Sequence, residues 1–199
     1  MTDRNAVLVC GAPRSGTSLV STLIEAAGID FGEHNRFVDP AVYKHNPIFF
    51  ELASLNSLND QMLEQAFGKK YGEYSFFPQK SKFTTALKNN WRSHIAEFLS
   101  VEFKGSNEIG LKDPRFCFTF PIWKFVLEQL GYRVCVIWVS RSADAVVQSN
   151  VKLLGANSAR AKRAYTLSNL ALGYLLGTHE KLVVSYDRLI ENPVKATNE

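Results

Sequence analysis

The chain has 199 residues, which is enough for one domain with a sizeable buried core. Its hydrophobic content of 46% and charged content of 21% are those of an ordinary globular protein rather than a disordered or fibrous one. A net charge of +4 suits an anionic ligand but is too small to indicate nucleic-acid binding by itself. We therefore expect a single globular domain over residues 1–199 and no nucleic-acid partner.

No segment approaches the length of a membrane span, and the first residues lack the apolar core of a signal peptide. The three cysteines are Cys10, Cys117 and Cys135, and their spacing does not match a metal site. The sequence thus predicts reduced, buried thiols in a cytoplasmic protein with no metal centre and no membrane span.

The first predicted strand covers residues 6–10 and leads into a loop that contains Gly11 and Gly16. A helix is predicted over 16–27, where apolar residues recur at helical spacing, and Gly28 supplies a stop signal. This layout is typical of a phosphate-binding loop, because converging backbone N–H groups and the positive end of a helix dipole favour an anion. A turn without any ligand is the alternative.

The loop differs from that of nucleotide kinases in the position of its cation. A Walker A loop has the pattern G-x-x-x-x-G-K-[ST], and its lysine reaches the β- and γ-phosphates. Here Thr17 takes the place of that lysine, and Arg14 carries the positive charge inside the loop. Such a loop suits one phosphate and is poorly equipped for a magnesium nucleoside triphosphate.

Residues 28–80 are less regular and rich in Asn, Pro, Phe and Gly, with one predicted helix at about 51–66. Ligands of open α/β sheets bind beyond the carboxyl ends of the strands, where an insertion can form a lid or a substrate wall. The aromatic cluster between Tyr71 and Phe77 would then line an acceptor pocket. A surface excursion packed by its own aromatic residues fits the same composition, and the sequence leaves both interpretations open.

The rest of the chain alternates between strands and helices. Further strands are predicted at 108–112, 133–139 and 181–185. Helical spacing occurs at 81–103, 117–130, 142–154 and 158–176. This alternation predicts an α/β domain of the P-loop type, a three-layer sandwich with a central parallel β-sheet.

Cationic residues directly follow two of these strands. Lys112 and Arg115 follow the second strand, and Arg141 follows the third. If the first three strands lie side by side, these cations join Arg14 at one rim, which suits a ligand with more than one phosphate-like group. Local ion pairs, such as one between Asp113 and Arg115, are the alternative interpretation.

These motifs resemble those of the sulfotransferases that use 3′-phosphoadenosine 5′-phosphosulfate (PAPS), particularly the bacterial members and the tyrosylprotein-type branch. The loop at 11–18 is similar to their loop for the 5′-phosphosulfate. Arg141, with Ser149 eight residues later, matches their 3′-phosphate motif in residue types and spacing. Cytosolic eukaryotic members usually have lysine where Arg14 stands.

The resemblance extends from about residue 6 to residue 193. Leu111–Arg115 is similar to a motif of bacterial members, and Tyr186 with the strand before it resembles part of their C-terminal region. The glycine-rich loop that closes over the cofactor in many members is not recognisable before Glu199. This departure puts closure over the 3′-phosphate in question and suggests a truncated or small member.

The resemblance implies transfer of a sulfuryl group from PAPS to a hydroxyl or amine of a small-molecule or peptide acceptor, without a metal. It implies a cofactor-binding role for Arg14, Ser15, Gly16, Thr17, Ser18, Arg141, Ser149 and Tyr186. Arg14 would stabilise charge on the leaving phosphate, and Lys112 or Arg115 would contact the sulfuryl oxygens.

The acceptor requires a general base. Residues 32–36 resemble a segment of the tyrosylprotein enzymes whose catalytic carboxylate falls at His34, with Glu33 beside it. We rank Glu33 and His34 ahead of Glu51, and Glu51 ahead of His45.

Two other functions fit parts of this pattern. A P-loop kinase of small molecules would share the fold, although Asp113 is the only near fit to a magnesium-holding carboxylate after a strand. A non-catalytic nucleotide-binding relative would bind the nucleotide without transferring the sulfuryl group.

Overall fold

The computed structural model describes residues 4–39, 49–69 and 76–192, and its centre is a four-stranded parallel sheet. The strands are β1 (Arg4–Cys10), β2 (Glu108–Lys112), β3 (Tyr132–Ser140) and β4 (Leu182–Ser185). Their order across the sheet is β2-β1-β3-β4. The predicted strands are confirmed to within two residues, and the first three lie side by side, as parallel strands joined by helical crossovers should.

Eight α-helices occur in the part of the chain that the structure describes. They are α1 (Thr17–Ala26), α2 (Ala53–Phe67), α3 (Thr85–Asn90), α4 (Arg92–Phe103), α5 (Phe116–Gln129), α6 (Ala143–Leu154), α7 (Ser158–Leu176) and α8 (Tyr186–Glu191). The single helix predicted over 81–103 is wrong. The segment forms α3 and α4, because Trp91 ends the first helix and begins the second with its indole buried.

The central sheet is covered on both faces, which explains why its strands are apolar along most of their length. Leu8 of β1 belongs to the larger core, with Ile109 of β2 and Trp123 of α5. Its neighbour Val9 belongs to a second core on the opposite face, with Val139 of β3. Successive side chains of a strand point to opposite faces, so β1 contributes to both cores. The three-layer α/β prediction is confirmed.

The described part of the insertion at 28–80 is attached to the sheet and to α4. The Asp30 N–H donates to the Glu108 carbonyl over 2.9 Å, which places the chain beside β2. The buried carboxylate of Glu102 lies 3.2 Å from the Arg36 guanidinium and accepts a 2.7 Å hydrogen bond from Ser54. The two segments of the insertion are therefore held by one carboxylate of α4.

The aromatic residues of the insertion are divided between the core and the surface. Phe76 packs against Phe118, with ring centroids 5.2 Å apart, whereas Phe77 is exposed beside Tyr174. Tyr71 and Tyr74 lie outside the described residues. Phe76 is thus partly buried and packs against the core, and the acceptor role of this cluster stays a prediction.

The cysteines are free thiols, and Cys10 and Cys117 are buried. Burial raises the pKa of Cys117 to about 12, so this thiol stays protonated and unreactive at neutral pH. Within the described ranges, no helix combines the length and the apolarity that crossing a bilayer requires.

Candidate functional site

The loop between β1 and α1 has a left-handed backbone at two positions. Arg14 has φ 69° and Gly16 has φ 97°, and the Ser15 N–H donates to the Ala12 carbonyl over 3.1 Å. Helix α1 begins at the next residue, Thr17. Alternation of right- and left-handed residues before a helix N-terminus forms a concave arrangement of N–H groups that suits an anion.

Tyr186 packs directly against this loop. A Cβ atom added to Gly16 would lie 2.0 Å from Cδ2 of Tyr186, so only glycine fits beneath the ring. The Arg141 guanidinium carbon lies 4.5 Å from the centroid of the same ring. Because Tyr186 follows β4 at once, the end of the edge strand fixes the relative positions of the loop and Arg141.

The structure brings the two predicted phosphate motifs together at Arg14. The Nε of Arg14 donates to the Ser149 hydroxyl over 3.2 Å, and Nη1 of Arg141 donates to the Arg14 carbonyl over 3.1 Å. Helix α6 begins after Ser142, whose hydroxyl accepts a hydrogen bond from the Ala145 N–H. Arg141 therefore precedes the helix that carries Ser149, and both residues contact Arg14 despite their spacing.

Positive charge is concentrated at this point. Burial lowers the pKa of Arg14, and the charge of Arg141 lowers it further. Among the described residues, Nε of Arg141 is buried with no hydrogen-bond partner, and the Asp187 carboxylate is 3.9 Å away. A bound anion would stabilise both guanidinium groups, because buried charges are normally paired.

A cleft of about 760 Å³ opens beside the loop, within the range of ligand-binding sites. All four predicted cations line it, as do Gly16, Thr17, Ser18 and Tyr186. Ser149 does not line the cleft and is connected to it through its hydrogen bond with Arg14. Ser15 is buried behind the loop and does not line the cleft, and its hydroxyl has no hydrogen-bond partner among the described residues.

Two of the four cations are neutralised by the insertion, which corrects the expectation that all four face a polyanion. Nζ of Lys112 contacts the Glu51 carboxylate and donates to the Phe49 carbonyl over 2.8 Å. Arg115 donates to Asp60 over 2.7 Å and lies 3.2 Å from Asp113. The alternative of a local Asp113–Arg115 pair is confirmed.

The structure places Glu33 and His34 outside the cleft lining. Glu33 is exposed and pairs with Lys104 at 2.5 Å, and this hydrogen bond lowers its pKa. His34 is exposed and pairs with Glu25 at 2.6 Å. The chain after α1 runs toward the end of α4 rather than over the loop, so the geometry does not support either residue as the base. Their catalytic roles stay predictions.

Glu51 is the base candidate that the structure places in the cleft. One carboxylate oxygen contacts Lys112, and the other accepts a 3.2 Å hydrogen bond from Nδ2 of Asn56. His45 lies outside the described residues. The sequence did not predict the contact between Asn56 and Glu51, because no local pattern shows which side chain an asparagine on a helix will contact.

Asp113 is buried away from the cleft lining. One oxygen accepts from the Arg115 N–H over 2.8 Å, and the other accepts from Asn59 over 2.9 Å. Burial raises the pKa of this carboxyl to about 6. Both oxygens are engaged in the core, so Asp113 is poorly placed to hold a magnesium ion at the loop.

Comparisons with known proteins identify the fold. No protein-family model matches the chain, and no curated protein matches it in sequence. The sulfotransferase domain of the olefin synthase from Synechococcus PCC 7002 is similar in structure, with a TM-score of 0.55 and 18% identity over 100% of this chain and 72% of that one. The sulfotransferase domain from the curacin biosynthetic pathway gives a TM-score of 0.55 and 14% identity, over 98% and 71% of the two chains. The chain therefore has a sulfotransferase-like α/β fold.

Proposed function

We propose that the protein is a sulfotransferase that transfers a sulfuryl group from PAPS to a hydroxyl or amine of an acceptor. The observation that carries the proposal is the contact of Arg14 with both Ser149 and Arg141 at the mouth of the loop. Two guanidinium groups beside a phosphate-type loop suit a nucleotide with two separate anionic groups.

The residues present fit such a nucleotide. The loop N–H groups with Thr17 and Ser18 would hold the 5′-phosphate, while Arg141 and Ser149 would hold the 3′-phosphate. Nε of Arg141, which has no hydrogen-bond partner among the described residues, would supply a donor for that group. Thr17 in place of a lysine disfavours a nucleoside triphosphate.

In the proposed reaction, PAPS supplies the sulfuryl group and 3′-phosphoadenosine 5′-phosphate (PAP) leaves. The acceptor oxygen or nitrogen forms a bond to sulfur as the bond between sulfur and the bridging oxygen of the 5′-phosphate breaks. Glu51 accepts the acceptor proton, with Asn56 orienting its carboxylate. Arg14 stabilises the charge that develops on the departing phosphate oxygen, an electrostatic role that needs no metal.

Nucleotide titration tests the binding half of this proposal. We expect PAP to raise the melting temperature more than ADP, AMP or ATP with magnesium, because a ligand of the native state stabilises it by mass action. Greater stabilisation by ATP with magnesium would instead indicate a kinase. Tight binding of PAP with no transfer from PAPS to any acceptor in a broad panel would indicate a non-catalytic relative.

Single-turnover transfer by Glu51→Gln tests the base. We expect the chemical step to slow by about 10²–10⁴-fold, the usual range for general acid–base catalysis. Glu33→Gln is the matched control, because it makes the same chemical change outside the cleft, and it should transfer at the wild-type rate. His34→Ala is measured in parallel. If Glu33→Gln or His34→Ala slowed transfer and Glu51→Gln did not, the general base would lie in the segment after α1 instead.

A further inference from the structure

The peptide bond between Arg141 and Ser142 lies at the junction of two elements. Strand β3 ends at Ser140, and Ser142 is the capping residue before α6. This peptide unit therefore lies outside the regular hydrogen bonding of both the sheet and the helix, and its two polar groups need other partners. Its orientation matters, because the backbone at this point determines the direction in which the Arg141 side chain leaves the chain.

Side chains from two helices supply those partners. The Tyr165 hydroxyl of α7 donates to the Arg141 carbonyl over 2.8 Å, and the Ser142 N–H donates to Oδ2 of Asp187 in α8 over 2.8 Å. The carbonyl and the N–H of a trans peptide point in opposite directions. Tyr165 and Asp187 therefore hold one peptide plane from opposite sides.

Tyr165 is suited to this contact and close to the site. Burial raises the pKa of Tyr165, and the charge of Asp187 raises it further, so the hydroxyl remains a donor at neutral pH. Tyr165 also lines the cleft together with Arg141. The proposed reaction gives this tyrosine no role.

The guanidinium of Arg141 is held as well as its backbone. Nη1 donates to the Arg14 carbonyl over 3.1 Å, and the guanidinium carbon lies 4.5 Å from the centroid of the Tyr186 ring. With both ends of the residue held, Arg141 has few alternative orientations. It therefore loses little conformational freedom when it binds an anion, which favours affinity.

We propose that Tyr165 is a positioning residue for the 3′-phosphate, and that it acts through Arg141 together with Asp187. The two contacts on the Arg141–Ser142 peptide would thereby set the preference for a 3′-phosphorylated nucleotide. This inference rests on the proposed function, since it concerns the same nucleotide. It assigns a specificity role to α7, a helix outside both sequence motifs for the phosphates.

Calorimetric titration of PAP and AMP tests this role without an acceptor, because the two nucleotides differ by the 3′-phosphate alone. We expect Tyr165→Phe to bind PAP about three- to tenfold more weakly and AMP within about twofold of wild type, the scale of one hydrogen bond. Tyr174→Phe is the matched control. It makes the same chemical change at an exposed tyrosine of the same helix outside the cleft lining, and it should bind both nucleotides as wild type does.

A double-mutant cycle with Arg141→Ala distinguishes positioning from direct contact. If Tyr165 acts through Arg141, Tyr165→Phe should change the PAP affinity of Arg141→Ala by less than about twofold, because the side chain that it positions is gone. An undiminished loss in that background would mean that Tyr165 contacts the nucleotide itself, and the inference would fail.

A pair of substitutions at Asp187 tests the other side of the peptide. Asp187→Asn and Asp187→Ala both remove the negative charge near Arg141, but only asparagine keeps an oxygen that can accept from the Ser142 N–H. We expect Asp187→Ala to bind PAP about threefold more weakly than Asp187→Asn, with equal AMP affinities. Equal PAP affinities would exclude Asp187 from the positioning role and contradict the inference.

The remaining outcomes separate this inference from the proposed function. Equal losses of PAP and AMP affinity in Tyr165→Phe would indicate a general effect on the fold and overturn the inference. A wild-type preference for PAP that survives Tyr165→Phe would overturn it as well, while leaving the proposed nucleotide in place. A wild-type protein that binds PAP no better than AMP would overturn the proposed nucleotide and the inference with it.

Discussion

Arg14 lies in the loop after β1, and Lys112 is the last residue of the neighbouring strand β2. The two cations differ in whether a carboxylate balances their charge. Lys112 is buried against the Glu51 carboxylate and the Phe49 carbonyl. Arg14 is half-buried beside a second guanidinium and a hydroxyl, and burial and Arg141 lower its pKa. An anion would therefore stabilise Arg14, whereas the charge of Lys112 is already balanced by the Glu51 carboxylate.

The first prediction concerns Arg14. We expect Arg14→Ala to slow transfer far more than it weakens PAP binding, because its charge is needed most as the leaving phosphate develops. Loss of one such electrostatic stabiliser costs about 3–4 kcal/mol of barrier. Single-turnover rates and calorimetric affinities separate the two effects. Arg92→Ala, at an exposed position on α4, is the control, and a transfer rate like that control's would remove Arg14 from catalysis.

At the scale of elements, the contact between the loop and α8 joins the first and last parts of the described chain. Tyr186 fills the space that a side chain at residue 16 would need, and its ring faces Arg141. The loop conformation and the orientation of α8 therefore depend on each other. A substitution of Gly16 or Tyr186 should therefore change the geometry of the proposed phosphate site.

The second prediction tests this dependence by a double-mutant cycle. Gly16→Ala should lower the free energy of unfolding by about 1–3 kcal/mol through the positive φ alone, with the clash against Tyr186 added to it. Tyr186→Ala removes the clash but not the backbone strain. The double variant should thus be more stable than the sum of the single effects predicts. Urea denaturation gives these free energies of unfolding. Strict additivity would show that the Tyr186 ring is not the reason why residue 16 must be glycine.

At the scale of the whole molecule, Asp113 connects the sheet to the helices around it. Its carboxyl contacts the Arg115 backbone after β2 and Asn59 of α2, and Asn59 in turn accepts from Trp123 of α5. Burial raises the pKa of Asp113 from 3.8 to about 6. The folded protein therefore holds this proton over a pH range in which the unfolded chain has lost it.

The third prediction follows from that difference. Because the folded state binds more protons between the two pKa values, this group's contribution to stability falls as the pH rises from about 4 to about 6 and is constant above that range. Asp113→Asn cannot ionise, so the wild type should lose melting temperature relative to this variant over the same interval. Thermal melts at matched pH values give the difference. Parallel curves for the two proteins would show that Asp113 does not titrate in this window.

The sequence alone determined the features that depend on residues close to one another along the chain. The apolar run of β3 and the order of strand, glycine loop and helix at residues 6–27 predicted the parallel sheet and the phosphate-type loop. These features follow from the period of the hydrophobic pattern and from backbone constraints at glycine, which act within a few residues. The convergence of Arg14 and Arg141 followed as well, because parallel strands end at one edge.

Tertiary structure decided which charges remain available and which groups share the cleft. Glu51 and Asp60 neutralise Lys112 and Arg115 from a distant part of the chain, and Arg160 reaches the cleft from α7. Such contacts depend on how helices pack on the sheet, and no local pattern encodes a partner about 60 residues away. The sequence therefore indicates an anion site at the strand ends, whereas the packing of the insertion decides that two of its four cations are paired with carboxylates.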